Sequence, residues 1–279
     1  GQMPVFDSLC TVFGTAGTGG FGIKNDSFGS YSTYLQGVVT VFMILFGINF
    51  NVYFLFYMKK PKEALRCEEA RWYLGIIAAS ILVITFFVRD FFDSLFLAFH
   101  HVAFQVASII TTTGFATTDF NYWPMFSKCI LMTLMVIGAC ASSTGGGIKT
   151  STIFVIFSAI RRTMKNGHCV AFKRRIEDKT IMQAFIVLIM SLFVVCLGTM
   201  LLCVAEPEYS FMQLLFECVS AFGTVGLSTG ITSELGVIAK IILILTMFTG
   251  RLGVMTIATL GTFKEPGTAV YTSEDISIG

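Results

Sequence analysis

Residues 104–115 read Phe104-Gln-Val-Ala-Ser-Ile-Ile-Thr-Thr-Thr-Gly-Phe115, and 112 positions on the chain reads Phe216-Glu-Cys-Val-Ser-Ala-Phe-Gly-Thr-Val-Gly-Leu227. Phe, Ser, Thr and Gly recur in register without a gap. A third stretch, Phe13-Gly-Thr-Ala-Gly-Thr-Gly-Gly-Phe21, carries the same chemistry near the start. Each stretch closes a short apolar segment (4–15, 94–110 and 208–222) and precedes a longer one. The short segments fall below the roughly 20 residues a helix needs to cross a bilayer, so they read as re-entrant or buried helices. Repetition of this kind makes the whole chain periodic.

The longer apolar runs lie at about 33–58, 72–92, 124–140, 148–160, 180–205 and 236–262. The unit is therefore helix, short helix with Gly/Thr loop, helix. Two whole units and the back half of an earlier one are expected: 1–58 as the half unit, 72–162 and 180–263 as the whole ones. Linkers occupy 59–71 and 163–179, with a tail at 264–279. Hydrophobic residues make up 54% of the 279 residues and charged ones only 13%. A soluble domain carries about twice that share of charge. The chain reads as an all-α, multi-pass membrane protein, and its start at Gly1 without Met suggests a truncated first unit.

Lys59, Lys60, Lys62, Arg66 and Arg71 crowd the first linker, and Arg161, Arg162, Lys165, Lys173, Arg174, Arg175 and Lys179 the second. Asp26, Asp119, Glu206, Glu208 and Glu234 lie toward the loops. The positive-inside rule then makes the linkers and C-terminus cytoplasmic in a plasma membrane, with the Gly/Thr loops outward. Acidic groups at that outer mouth would concentrate cations. The net charge of +2 does not suggest nucleic acid. The cysteines and the three histidines lack metal-ligand spacing.

Non-helical backbone at membrane depth survives only when protein buries it or when it lines a watery cavity. Glycine reaches the unusual φ angles that turn successive carbonyls toward one axis, and threonine adds a hydroxyl oxygen. Such oxygens can replace the hydration shell of potassium. Thr112, Thr113, Gly114 and Phe115, and Thr224, Val225, Gly226 and Leu227, both have the Thr-x-Gly-apolar form of a potassium filter strand. In the first loop, Phe13-Gly14 places Thr15 to Thr18 in the filter, whereas aligning from the outer side places Thr18, Gly19, Gly20 and Phe21 there. The second alignment is preferred, because Gly-Phe followed by polar residues and Asp matches 114–119. Potassium at these carbonyls is the expected cargo.

Together with Ala116-Thr-Thr-Asp-Phe-Asn-Tyr-Trp-Pro124, Gly145-Gly-Gly-Ile-Lys149 and Gly250-Arg251, these loops resemble the Trk/Ktr/HKT superfamily of potassium uptake proteins, above all the bacterial Trk-type membrane subunit. The resemblance covers essentially the whole chain. It implies four pseudo-repeats around one central filter, a homodimer, and a cytosolic nucleotide-binding regulatory partner, with no cofactor in this chain. Only three filter loops are present here, so a fourfold pore needs its missing quarter from elsewhere.

Small residues from Gly138 to Thr152 interrupt an apolar run. Ser142, Ser143, Thr144, Gly145, Gly146, Gly147 and Lys149 are candidates for an intramembrane gate; a plain helix kink is the alternative. A nucleotide-binding P-loop fails on spacing, since Ile148 separates Gly147 from Lys149 and no buried strand precedes it. Arg251 lies mid-way along the last apolar run and should face the pore or a counter-charge; the resemblance implies an electrostatic barrier. Lys149 either pairs with a carbonyl or marks the inner half of its helix. Glu217 is placed to brace its loop from behind. His100 and His101 are expected at the membrane interface rather than in a proton relay. Phe86, Phe87, Phe91 and Phe92 are expected toward lipid, and Tyr122, Trp123 and Pro124 as outer anchors. No paired carboxylates, Ser/His couple or metal ligands mark an enzyme. The runner-up reading is a sodium- or proton-coupled secondary transporter.

Overall fold

The computed structural model describes residues 3–163, 170–171 and 174–259. Lys165, His168, Lys173 and the tail at 264–279 lie outside them. Among the described residues twelve α-helices account for most of the regular structure: α1 Val5–Ala16, α2 Thr33–Phe46, α3 Phe50–Tyr57, α4 Pro61–Leu65, α5 Glu68–Val88, α6 Leu95–Ile110, α7 Met125–Ile137, α8 Thr150–Thr163, α9 Asp178–Ala205, α10 Phe211–Gly223, α11 Val237–Leu252 and α12 Val254–Thr259. Val170–Ala171 and Arg174–Arg175 form a two-residue antiparallel ladder in the second linker.

Local chemistry sets several boundaries. Ser32, Ser94 and Ser210 each cap a helix by accepting from the amide three residues on, at 3.4, 3.2 and 3.4 Å. At α10 the Gln213 carbonyl also accepts from Ser210 N, at 3.2 Å, completing a capping box. Proline precedes α1 and α7. Two helices, α5 and α9, are long and apolar enough to span a membrane, and α2 with α3 would make a third.

That pair corrects the sequence reading of 33–58 as one continuous helix. The chain bends by 89° between α2 and α3, at Gly47-Ile48-Asn49. The cause is tertiary: Gly47 O accepts from Cys140 N at 3.2 Å, and Phe50 N donates to Ser142 O at 3.1 Å. The last run breaks as well, at Gly253, where φ is 84°. All three second helices are thus interrupted, not only that of the middle unit. The fifth helix starts at Glu68, inside the stretch assigned to the basic linker.

The packing follows the unit expected from sequence. The short helix α6 lies against α5, α2 and α7, and α10 lies against α9, α11 and α7. The main core gathers Tyr73, Ile77 and Ile84 of α5, Val106 and Ile109 of α6, Leu131 and Met135 of α7, and Phe222 and Val225. Trp123 is only 4% exposed and belongs to this core, not to an interfacial belt. Phe86, Phe87 and Phe91 are exposed, whereas Phe92 stacks on His101 with centroids 5.3 Å apart.

Candidate ion pathway and gate

The three short helices end in the same backbone turn. Thr112 donates its amide to Ile109 O, Thr113 to Ser108 O, and Gly114 to Ser108 O. Thr224 N and Val225 N pair with Ala221 O and Ser220 O in the same way. Thr18, Gly19 and Gly20 pair with Thr15 O and Gly14 O. Gly14, Ser108 and Ser220 are therefore structural counterparts, and so are Thr18, Thr112 and Thr224.

These three threonines sit at φ 49°, 56° and 54°, and Gly20, Gly114 and Gly226 at 67°, 87° and 85°. A β-branched residue in the left-handed region is a genuine outlier. Each costs on the order of 1–3 kcal/mol and persists only where the surroundings over-determine it. Three at one structural position are a built feature. They also give the first loop the Thr18–Phe21 register. Each loop thus repeats two left-handed residues with one ordinary residue between them.

The loops meet one another at the glycines. A methyl added at Gly20 would collide with the Thr113 carbonyl oxygen, and one at Gly114 with that of Val225; at Gly226 nothing lies within 4 Å. Each of the first two loops thus presents its glycine to the next loop's oxygens at matching depth. On the outer side Phe28 N donates to Ala116 O at 2.9 Å, and Asn121 Nδ2 to Thr229 O at 3.2 Å. The Ser30 hydroxyl donates to Asp26 and holds that carboxyl below its ordinary pKa.

Support from behind differs between loops. Ser108 Oγ donates to Phe115 O at 2.6 Å, and Ser220 Oγ to Leu227 O at 2.5 Å. Glu217, 4% exposed, accepts at Oε1 from Ser228 Oγ, Thr229 N and Thr229 Oγ1, and at Oε2 from Thr232 Oγ1. This is the bracing expected from sequence. His101 Nδ1 pairs with Thr117 Oγ1 at 3.0 Å, and His100 Nε2 with Gln36 Oε1 at 2.9 Å. Both histidines are half-buried and hydrogen-bonded to neighbouring side chains.

The interrupting loop lies at the inner ends of all three Gly/Thr loops. Thr18 Oγ1 donates to Thr144 O at 3.0 Å, and Gly146 N donates to Thr112 Oγ1 at 2.7 Å. A methyl on Gly146 would strike the Thr224 hydroxyl and the Gly223 carbonyl. The loop doubles back, with Ile148 N on Val136 O at 3.0 Å and Thr150 N on Ala139 O at 3.1 Å. Gly138 makes the reversal at φ 59°, ψ −170°, a region essentially reserved for glycine. Ser143 Oγ donates to Cys140 O at 2.7 Å.

Lys149 Nζ donates to Gly145 O, which selects carbonyl pairing among the sequence alternatives. Arg251 is not mid-helix. It occupies the last turn of α11, exposed, two residues before the Gly253 break. With Lys149, Gly145 to Gly147 and Val254 it lines a cavity of about 440 Å³ beneath the loop. Two cations share that space.

An all-helical membrane fold in which three such loops meet one interrupting loop suits a membrane transport protein, and comparison with known proteins places the chain in that class. A family model described as cation transport protein, TrkH, matches residues 1–270, and the chain belongs to that family. It is 31% identical over 262 residues to Ktr system potassium uptake protein B of Bacillus subtilis, covering 90% of this chain and 59% of that protein. It is 28% identical over 274 residues to the Trk system potassium uptake protein TrkH of Salmonella typhimurium, covering 93% and 56%. The crystal structure of the potassium transporter TrkH from Vibrio parahaemolyticus superposes with a TM-score of 0.84 at 24% identity, over 94% of this chain and 59% of that one. The chain thus spans less than two thirds of the relatives it matches.

Proposed function

We propose that this chain contributes most of a potassium permeation path, with the 138–149 loop as its gate. The observation that carries the reading is the threefold turn, with each of two glycines set against the neighbouring loop's carbonyl oxygens. Oxygens stacked around one axis can take over the coordination of a dehydrated cation. Thr18–Phe21, Thr112–Phe115 and Thr224–Leu227 would supply them. The names of the two relatives above favour potassium as the cargo.

In its present position the loop closes the inner end of that path, so permeation requires Thr144 to Gly146 to withdraw. Lys149 and Arg251 below it would repel an emerging cation until they move or are neutralised. The basic linkers support an orientation with that side facing the cytoplasm across a cell membrane. Family resemblance supports a homodimer and a nucleotide-binding cytosolic regulator as the source of gating force. A further loop, facing Gly226, would complete the ring.

The test uses the full-length protein in liposomes under a potassium gradient alone. Potassium flux without sodium or proton gradients is expected, and Gly114→Ser should cut it or narrow its preference for potassium over sodium by ten-fold or more. Strict dependence on a second ion would put coupled transport in its place. Unchanged permeation ratios in Gly114→Ser would remove Gly114 from the filter.

A further inference from the structure

Glu69 is a buried acid that the pathway itself does not use. It sits in the first turn of α5, 8% exposed, and none of the described basic residues forms an ion pair with it. A buried carboxylate is expensive unless its oxygens are hydrogen-bonded. Here each oxygen has a partner from a different element. Oε2 accepts from Asn49 Nδ2 at 2.9 Å, and Oε1 from Ala141 N at 2.7 Å.

Both partners are at breaks. Asn49 caps α3 through its Oδ1, which accepts from Asn51 N at 2.9 Å, and so stands in the 89° bend. Ala141 opens the loop that reaches the inner ends of the three Gly/Thr loops. Two backbone bonds run parallel to the carboxylate: Cys140 N to Gly47 O, and Phe50 N to Ser142 O. One turn along α5, Tyr73 OH donates to Ile44 O at 3.3 Å, and a methyl at Gly47 would collide with that hydroxyl. The bend is therefore gripped from α5 on one side and from the loop on the other.

We propose that Glu69 is a positioning residue that clamps the α2–α3 bend to the entry of the interrupting loop, so that the loop cannot leave the Gly/Thr loops without releasing the bend. The first unit's broken helix is then part of the gate. A carboxylate suits this task because both its oxygens only accept. Glutamine keeps the size but turns one oxygen into a donor, which must then face Ala141 N–H or Asn49 Nδ2. Flipping Asn49 to meet it would cost the Asn51 cap.

The clamp rests on the gating reading above, and its test is read first by amide exchange, which needs no flux. In full-length Glu69→Gln, exchange at 139–143 and at 47–52 should both quicken by at least about ten-fold, the scale expected when a buried donor loses its partner. Exchange at 224–227 should hold, and Glu68→Gln on the same turn should match the parent. In liposomes, Glu69→Gln should raise basal potassium leak several-fold. Faster exchange at one segment only, or only at the start of α5, overturns the clamp and leaves Glu69 a helix-end residue. Both segments loosening with unaltered leak overturns the link to the gate. A parent protein that passes no potassium, with both segments loosened in the variant, counts against permeation and supports the tie.

Discussion

The first and third Gly/Thr loops share one backbone and differ in what stands behind it. The third has Ser220 on the Leu227 carbonyl and Glu217 gathering Ser228, Thr229 and Thr232. The first has Gly14 where Ser220 stands and Thr11 where Glu217 stands. Its apolar end, Phe21, is 80% exposed, against 6% for Leu227 and 0% for Phe115. The second is intermediate, with the serine kept, Gln105 in place of the acid, and His101 bonded to Thr117 instead. The same strained turn can therefore be held by side-chain hydrogen bonds or by the neighbouring loop. In the first loop the neighbour does most of it: Gly20 abuts Thr113, and Phe28, downstream of the loop, packs on Phe115 at 4.7 Å.

Substituting alanine at each glycine gives the largest expected effects and the sharpest gradient. At Gly20 and Gly114 the new methyl meets a backbone oxygen that cannot step aside, and the positive φ adds about 1–2 kcal/mol. Losses of about 3 kcal/mol or more are expected at both. Gly226→Ala meets nothing within 4 Å and should lose only the φ penalty. Thermal unfolding of residues 1–279 would read the difference. Equal damage at Gly226 in a longer form of the protein would reveal a further segment lying against it.

Glu217→Gln comes next. One oxygen becomes a donor, and the cluster of four donors loses part of its acceptor, for about 2 kcal/mol. Hydroxyl rotation at Thr232 limits the damage, which alanine would not allow. The melting temperature should fall, with the potassium-to-sodium permeability ratio falling beside it in the full-length protein. A lower melting point with an intact ratio would separate the brace from the filter.

These contrasts explain what was legible beforehand. The second and third loops announced themselves because Ser108 and Ser220 do the same job and so kept the same residue. The first loop was ambiguous for the opposite reason: Gly14 removes the landmark, and only the left-handed Thr18 fixes the register. The bend at 47–49 was missed because its cause lies some 90 residues away, in Cys140 and Ser142; Gly47 followed by the cap-forming Asn49 was the available local signal. Glu69 was hidden among linker charges, since an acid three residues past Arg66 and seven past Lys62 reads as surface. Arg251 was placed mid-helix because hydropathy runs on through Gly253.

The smallest effect tests the comparison from its weak side. Gly14→Ser would offer the first loop the hydroxyl that the other two possess. A Cβ at Gly14 would lie 3.3 Å from the Phe21 carbonyl oxygen and 3.3 Å from the rim of the Phe115 ring. The first distance puts a serine Oγ within hydrogen-bond reach, as at Ser108 and Ser220. The second asks the ring to yield by a few tenths of an ångström, against Phe28 and Phe104, which pack with it. A net hydrogen bond is worth about 0.5–1.5 kcal/mol, and a small ring displacement takes back part of it, so a gain of about 0.5 kcal/mol is expected. Gly14→Ala adds the methyl without the hydroxyl and should be neutral or slightly worse. If serine destabilises as much as alanine does, the first loop lacks a brace because Phe115 occupies its place, and the packing between loops, not the missing hydroxyl, sets the difference.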